Sequence, residues 1–298
     1  MKKVPVSQFI IEFLTTNNSQ MGGEDSSAFL ATYELFGSQS EFHNVSAEFA
    51  RANQYQLACH VLDCGLSLYP NDTDLLADYL EYGVRCGKEE RAKECYDKLE
   101  EIPKELYTWR SFTFMIDYIL YCYTANMFSH KVDVKSACDA VISDYKKFLP
   151  LQEKAYMAEY EVAKTFGASD EDLLEILKAA IAKIKVAPQL CMRFVDKSLE
   201  LGNYDDVIFY SRRGLSAAAQ EQESVDTGYF YYAMALAMDA KWYDDKDEKF
   251  GDIEYAKDII KKYRAADASL DGNKDTYRKL LKKRVNMIAT EIGIDLPY

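Results

Sequence analysis

Apolar residues recur three and four positions apart along almost the whole chain, and little interrupts them. Phe9, Ile10, Phe13 and Leu14 form a first stripe, Phe42, Val45, Phe49 and Ala52 a second, and Leu57, Val61, Leu62 and Leu68 a third. That spacing puts side chains on one face of an α-helix. Breakers are scarce: 6 Pro and 13 Gly in 298 residues. A sandwich or barrel needs turn residues at short, regular intervals, and they are missing here. The expectation is an all-α chain of about a dozen or more helices joined by short polar loops. Residues 17–25 (NNSQMGGED) read as a loop, and Ser26 as the cap of a helix carrying Phe29, Leu30, Tyr33 and Phe36.

The helices repeat as antiparallel pairs. In residues 52–72 a polar turn ends at Tyr55, Ala58 follows, then Leu62 and Gly65, and Pro70 closes the unit. In residues 87–103 Gly87 marks the turn, Ala92 is the small residue, Tyr96 the large one, and Pro103 closes. Ala58 and Ala92 thus occupy the same place in successive units, and so do Pro70 and Pro103. Residues 201–217 repeat the turn with Gly202, Asn203 and Tyr204, followed by Gly214, and residues 250–263 offer Ala256 and Ile260. A small residue lets paired helices approach, and a larger one fills the next gap.

This pattern resembles the second half of a tetratricopeptide repeat (TPR), whose period of about 34 residues matches both the alanine and the proline spacing. Trp109, Phe112 and Ile116 stand where the family has a Trp, an apolar residue and an aromatic in the first half, although Thr113 replaces its Gly. Leu76, Tyr79, Leu80 and Gly83 fit the same half loosely. Pro103 and Pro150 are further apart than one period, which implies an insertion near residues 125–133. The resemblance implies a right-handed superhelical solenoid of antiparallel helix pairs, with the first helix of each pair lining a concave groove. The expected organisation is a helix and loop over 1–25, repeats over 26–219, and degenerate repeats with a closing helix over 220–298. That last helix carries Leu280, Leu281, Val285, Ile288 and Ile292 with Lys279, Lys282, Lys283 and Arg284 interleaved.

The formal charge is -13. Nucleic acids and anionic membranes are disfavoured as partners, because both are held mainly by Lys and Arg. Seven cysteines at irregular spacing, an odd number, read as reduced thiols of a cytoplasmic protein. At the N-terminus Glu12 interrupts the short apolar run, and no small-residue cleavage site follows, so no signal peptide is expected. The triplets at Asn17, Asn44 and Asn71 are therefore chance matches to a glycosylation site.

No constellation supports catalysis, a metal or a cofactor. Cys59, His60 and Cys64 lack the paired-ligand frame that zinc requires. Asp267, Ser269, Asp271 and Gly272 start like a calcium-binding loop, but Arg278 occupies the position of its bidentate Glu. Asp244, Asp245, Asp247 and Glu248 read as a solvated loop. The three histidines, His43, His60 and His130, lie in no recognisable nucleophile frame.

The leading reading is a non-catalytic scaffold that binds a protein or peptide in a helical-repeat groove. The alternatives are a peptide-sensing regulator acting through a separate partner, and a helical metal-dependent enzyme using the Asp244 cluster. The repeat register puts His43, Asp74, Glu81, Arg110, Asp117, Gln189 and Asp196 near the groove, and their acidic excess favours a basic peptide. Tyr residues number 23, and the run Tyr229, Phe230, Tyr231, Tyr232 covers more than one helix face. Tyr229 and Tyr232 therefore define a rival surface. The sequence leaves the oligomeric state open.

Overall fold

The computed structural model describes residues 2–16, 33–125, 133–220, 226–244, 252–270 and 275–294. A short strand β1 (Lys2–Pro5) leads into α1 (Val6–Thr16), and β2 (Tyr33–Phe36) follows. Then come α2 (Gln39–Arg51), α3 (Tyr55–Leu68), α4 (Thr73–Arg85), α5 (Glu89–Glu101), α6 (Trp109–Thr124), α7 (Val134–Phe148) and α8 (Glu153–Thr165). The remaining helices are α9 (Asp170–Lys183), α10 (Pro188–Glu200), α11 (Tyr204–Ala218), α12 (Thr227–Asp244), α13 (Ile253–Ala268) and α14 (Asp275–Glu291). The chain forms two compact units, residues 1–162 and 163–298. No helix among the described residues is long and apolar enough to cross a membrane.

Short polar side chains start many of these helices. Ser38 and Glu41 form a reciprocal capping box at α2, Asp72 caps α4, Thr108 caps α6, Asp133 caps α7 and Ser169 caps α9. Each side-chain cap contributes about 1 kcal/mol by satisfying an orphan backbone N–H. Several turns between successive helices share one device. Asn53, Gly87, Gly167 and Gly202 adopt φ of 59°, 75°, 78° and 71° between α2 and α3, α4 and α5, α8 and α9, and α10 and α11. This left-handed conformation suits Gly and Asn and reverses the chain in few residues. Asn53 and Gly87 are one repeat period apart, and Gly167 and Gly202 nearly so, which writes the repeat into the backbone as well as the core.

The N-terminus departs from expectation. Tyr33 and Phe36 do not lie on a helix; they belong to β2, which pairs in parallel with β1 in the register Lys2↔Tyr33 and Val4↔Leu35. In this segment burial alternates: Leu35 is buried between exposed Glu34 and Phe36. That is the period of a strand, and the aromatic-rich tetrapeptide suits a pleated surface. The expected cap Ser26 and its partners Phe29 and Leu30 lie outside the described residues. On α1, Phe9 and Phe13 turn inward against Phe49 of α2, with ring centroids 6.0 and 5.4 Å away.

In the first unit, α2 to α7 pack as successive pairs, and α4 lies against both its partner α5 and the next first helix α6. Ala58 and Ala92 are fully buried at these crossings. A Cβ added at Gly83 of α4 would come 3.3 Å from the Ala92 methyl and 3.1 Å from the Tyr79 ring, so both helices present their smallest residues there. Farther along, Phe112 of α6 stacks on Tyr145 of α7 at 4.9 Å and 12°. Three residues counted in apolar stripes stand off the core. Ala52 is exposed after the end of α2, while Leu68 and Leu280 are exposed on α3 and α14. Leu280 precedes the buried stripe of Leu281, Val285 and Ile288 by one residue, which rotates it by about 100°.

The second unit contains α9 to α14. A Cβ at Gly214 of α11 would overlap the Phe230 ring of α12. Met234, Met238 and Trp242 of α12, Ala256, Ile259, Ile260 and Tyr263 of α13, and Leu281, Val285 and Ile288 of α14 share one core. Inside it Asp239 is nearly buried and accepts two hydrogen bonds from Arg284, at 2.7 and 2.6 Å, and one from the Tyr263 hydroxyl at 2.9 Å. Arg284 is thus committed inward, unlike the lysines beside it.

Two outcomes follow for stability. Ala58→Leu and Ala92→Leu should each cost about 1–3 kcal/mol through overpacking, while Leu at exposed Ala52 should be near neutral; urea denaturation reads all three. Arg284→Met leaves the Asp239 carboxylate buried without its main partner and should cost about 3–5 kcal/mol, much of it recovered in an Asp239→Leu/Arg284→Met double variant. A stability of Arg284→Met equal to that of the parent would exclude a stabilising role for the pair.

Candidate functional site

The first helices of the pairs in the first unit carry polar and aromatic residues at helical spacing. On α4 these are Asp74, Asp78, Glu81 and Arg85, and on α6 Arg110, Phe114, Asp117 and Tyr121. Three- and four-residue steps align each set on one face. Two hollows open beside them. One, of about 410 Å³, is lined by His43, Arg51, Tyr55, Glu81, Tyr82, Arg110 and Phe114, among others. The other, of about 550 Å³, is lined by Glu81, Arg85, Phe114, Asp117, Tyr118 and Tyr121 together with Leu80 and Val84. Glu81 and Phe114 belong to both.

Asp78, fully buried, joins three helices below the first hollow. Its Oδ2 lies 2.5 Å from His43 Nδ1 on α2, and its Oδ1 accepts from Arg110 of α6 at 3.3 Å. Desolvation raises the pKa of this carboxyl, and the His43 hydrogen bond and the positive charge of Arg110 pull against it. Arg110 also lies over Trp109, 4.9 Å from the ring centroid. Two of the expected groove residues, His43 and Arg110, therefore spend a hydrogen bond on a residue absent from that set. The signal for Asp78 was present: it stands four residues after Asp74 and three before Glu81, on the same stripe.

Asp74 is engaged as well, since the Thr108 hydroxyl donates to its Oδ1 at 2.5 Å. Glu81 pairs with Arg85 one turn on. Asp117 differs. It is open to solvent and forms no ion pair among the described residues, yet it lines the second hollow with neighbouring side chains around it. Desolvation first, then the Glu81 and Glu161 carboxylates, push its pKa up to about 6, with Arg85 opposing.

In the second unit Gln189 is exposed in the first turn of α10, and Asp196, further along that helix, accepts a hydrogen bond from the Tyr229 hydroxyl of α12. The surface around Asp196 and the aromatic surface, rivals in the sequence, meet at this bond. Burial and the Asp196 charge hold the Tyr229 phenol well above its usual range. Within the aromatic run Phe230 is buried and Tyr232 is 40% exposed.

The remaining polar clusters separate. Cys64 Sγ lies 3.9 Å from His60 Nε2, whereas Cys59 faces Cys86 on another helix. Arg278 stands 3.8 Å from Asp267. The Asp244 side chain, residues 245–251, residues 271–274 and His130 lie outside the described residues. Among the described residues, no group of three or more His, Cys, Asp or Glu is arranged to hold a metal ion.

Paired antiparallel helices, successive first helices side by side, and hydrogen bonds between residues about one repeat apart define a TPR-like helical-repeat protein. The bonds Asp74–Thr108, His43–Asp78 and Asp196–Tyr229 span 34, 35 and 33 residues. No family model matches the chain, and no curated protein matches it. Similar solved structures include a thermophilic TPR protein of Thermus thermophilus, at 14% identity over 67% of this chain and 99% of that one, with a TM-score of 0.47. PilW, a widely conserved type IV pilus biogenesis factor, is 13% identical over 75% of this chain and 97% of its own, with a TM-score of 0.46. A tetratricopeptide repeat protein from Parabacteroides merdae is 15% identical over 84% of each chain, with a TM-score of 0.43.

Asp117 supplies a direct test of the site electrostatics. Its folded pKa exceeds the ordinary 3.8, so its stabilising contribution is complete only in acid and is lost as pH rises through about 6. Asp117→Asn should therefore be more stable than the parent at about pH 7, the gap closing towards about pH 4. Glu81→Gln should shift the Asp117 titration, followed by carboxyl NMR, downward.

Proposed function

We propose that this chain is a non-catalytic scaffold that binds a protein or peptide, with a preference for Lys- or Arg-bearing segments. The observation that carries the reading is the pair Glu81 and Asp117. Two carboxylates share an open hollow with Phe114, Tyr118 and Tyr121; desolvation, and after it repulsion from Glu81, raise Asp117, while Arg85, paired with Glu81 on the same wall, opposes this. A cationic side chain placed between them relieves that repulsion while its stem packs on the rings. Exposed ion pairs contribute only about 0.2–1 kcal/mol each, so charge selects the ligand and aromatic contact holds it. The net charge of -13 favours a basic peptide over a nucleic acid. His43, Arg110 and Asp74 have structural partners, and His43 and Arg110 line the neighbouring hollow that shares Glu81 and Phe114. In the second unit Gln189, Asp196, Tyr229 and Tyr232 offer a further acidic and aromatic contact surface.

Selection of short peptides from a displayed random library tests this. Peptides bound by the parent should be enriched in Lys or Arg next to apolar or aromatic residues. A Glu81→Gln/Asp117→Asn variant, shown by circular dichroism to be folded, should lose the basic enrichment. Selection with no basic preference, or one unchanged in the variant, would remove these carboxylates from the site. Binding of a selected peptide should weaken as pH falls through about 6, because protonation of Asp117 removes the charge that the peptide cation meets.

A further inference from the structure

The first unit holds two thiols in contact that the binding role does not use. Cys59 is fully buried in the middle of α3. Cys86, half-buried, is the residue that ends α4. Their sulfurs are 3.5 Å apart. A disulfide needs about 2.05 Å between sulfurs, so oxidation must draw the two touching thiols together.

The two sulfurs are not equivalent. Cys86 sits at the turn after α4, next to Gly87 with its left-handed φ of 75°. Of the two, Cys86 is the more accessible, being half-buried where Cys59 is fully buried. A thiolate on Cys86 accepts a hydrogen bond from the Cys59 thiol and is further favoured by the Lys88 ammonium and backbone N–H; burial and Glu89 oppose it, and the balance lowers its pKa. The same contact, with burial, raises Cys59. Thiolate character and access together select the sulfur that reacts first.

We propose that Cys86 and Cys59 form an oxidation site for a hydroperoxide, with Cys86 as the attacking thiol and Cys59 as the resolving one. The Cys86 thiolate attacks one oxygen of hydrogen peroxide and the O–O bond breaks. Cys86 becomes a sulfenic acid, and the hydroxide that leaves takes up the proton Cys86 had lost. The Cys59 sulfur then displaces the sulfenic oxygen, which departs as water with the Cys59 proton. Two thiols and one peroxide yield one disulfide and two waters: the sulfurs lose two electrons and the peroxide gains them. The product fastens α3 to the end of α4, one residue beyond Arg85 in the wall of the second hollow. The site stands independently of the proposed binding role.

The test uses the full chain, freed of reductant, with hydrogen peroxide as probe and peptide mapping without reduction. The expected product has lost two hydrogens and joins the peptides of Cys59 and Cys86, and dithiothreitol reverses it. In Cys59→Ser, Cys86 should stop at the sulfenic acid, captured by dimedone. In Cys86→Ser, Cys59 should remain a thiol, alkylated after unfolding. If either variant does not fold, mapping of the parent alone decides. Cys86 left as a free thiol, Cys86 carried to sulfinic acid with Cys59 untouched, or Cys86 bridged to a different cysteine would each overturn the assignment.

Discussion

Two helices approach only as closely as the smallest side chains at their crossing allow. In this chain that limit is set by Ala and Gly: Gly83 against Ala92, and Gly214 beneath the Phe230 ring. Once the backbones are close, large residues on either side interdigitate without voids, and dispersion and apolar burial follow. The left-handed turns at Asn53, Gly87 and Gly202 bring the partners back antiparallel within a few residues. The polar architecture depends on this close approach, because groups one repeat apart meet only when the intervening helices are tightly packed.

Polar contacts between repeats do a different job. Asp78 is costly to bury, and His43 and Arg110 offset that cost from two neighbouring helices. A buried carboxylate with two partners fixes the rotation of all three helices, since a rotated helix would leave it unpaired. The faces of α2, α4 and α6 are thereby held in register, which places Glu81, Phe114 and Asp117 around common hollows. Asp239, clasped by Arg284 and Tyr263, performs the same service for α12, α13 and α14.

Much of this was legible in the sequence, and the misses have physical causes. Ala58 and Ala92 were readable because the repeat gives each of them a second witness in the neighbouring unit. Tyr33 and Phe36 were misread because so short a strand does not distinguish its period from that of a helix, and its partner β1 lies on the far side of α1 in the chain. Asp78 was passed over because an acidic residue in a helix ordinarily faces water; its burial depends on a His and an Arg from other helices, which no local pattern announces. Leu68 and Leu280 show the limit of stripe reading, where a single step in register turns an apolar residue outward.

The spacing of contacts also bears on how the chain acquires its structure. Partners that meet across pairs are separated by about one repeat, as in Asp74 with Thr108 and Asp196 with Tyr229. The loops closed while folding are therefore short and similar in length, and their entropy cost stays nearly constant from pair to pair. In repeat arrays such loops let one helix pair add to its neighbour from any crossing that has formed. The parallel strands at the N-terminus are an exception. β1 precedes α1 but finds its partner only in β2, on the other side of that helix in the chain, so this edge cannot close until both flanks of α1 are in place.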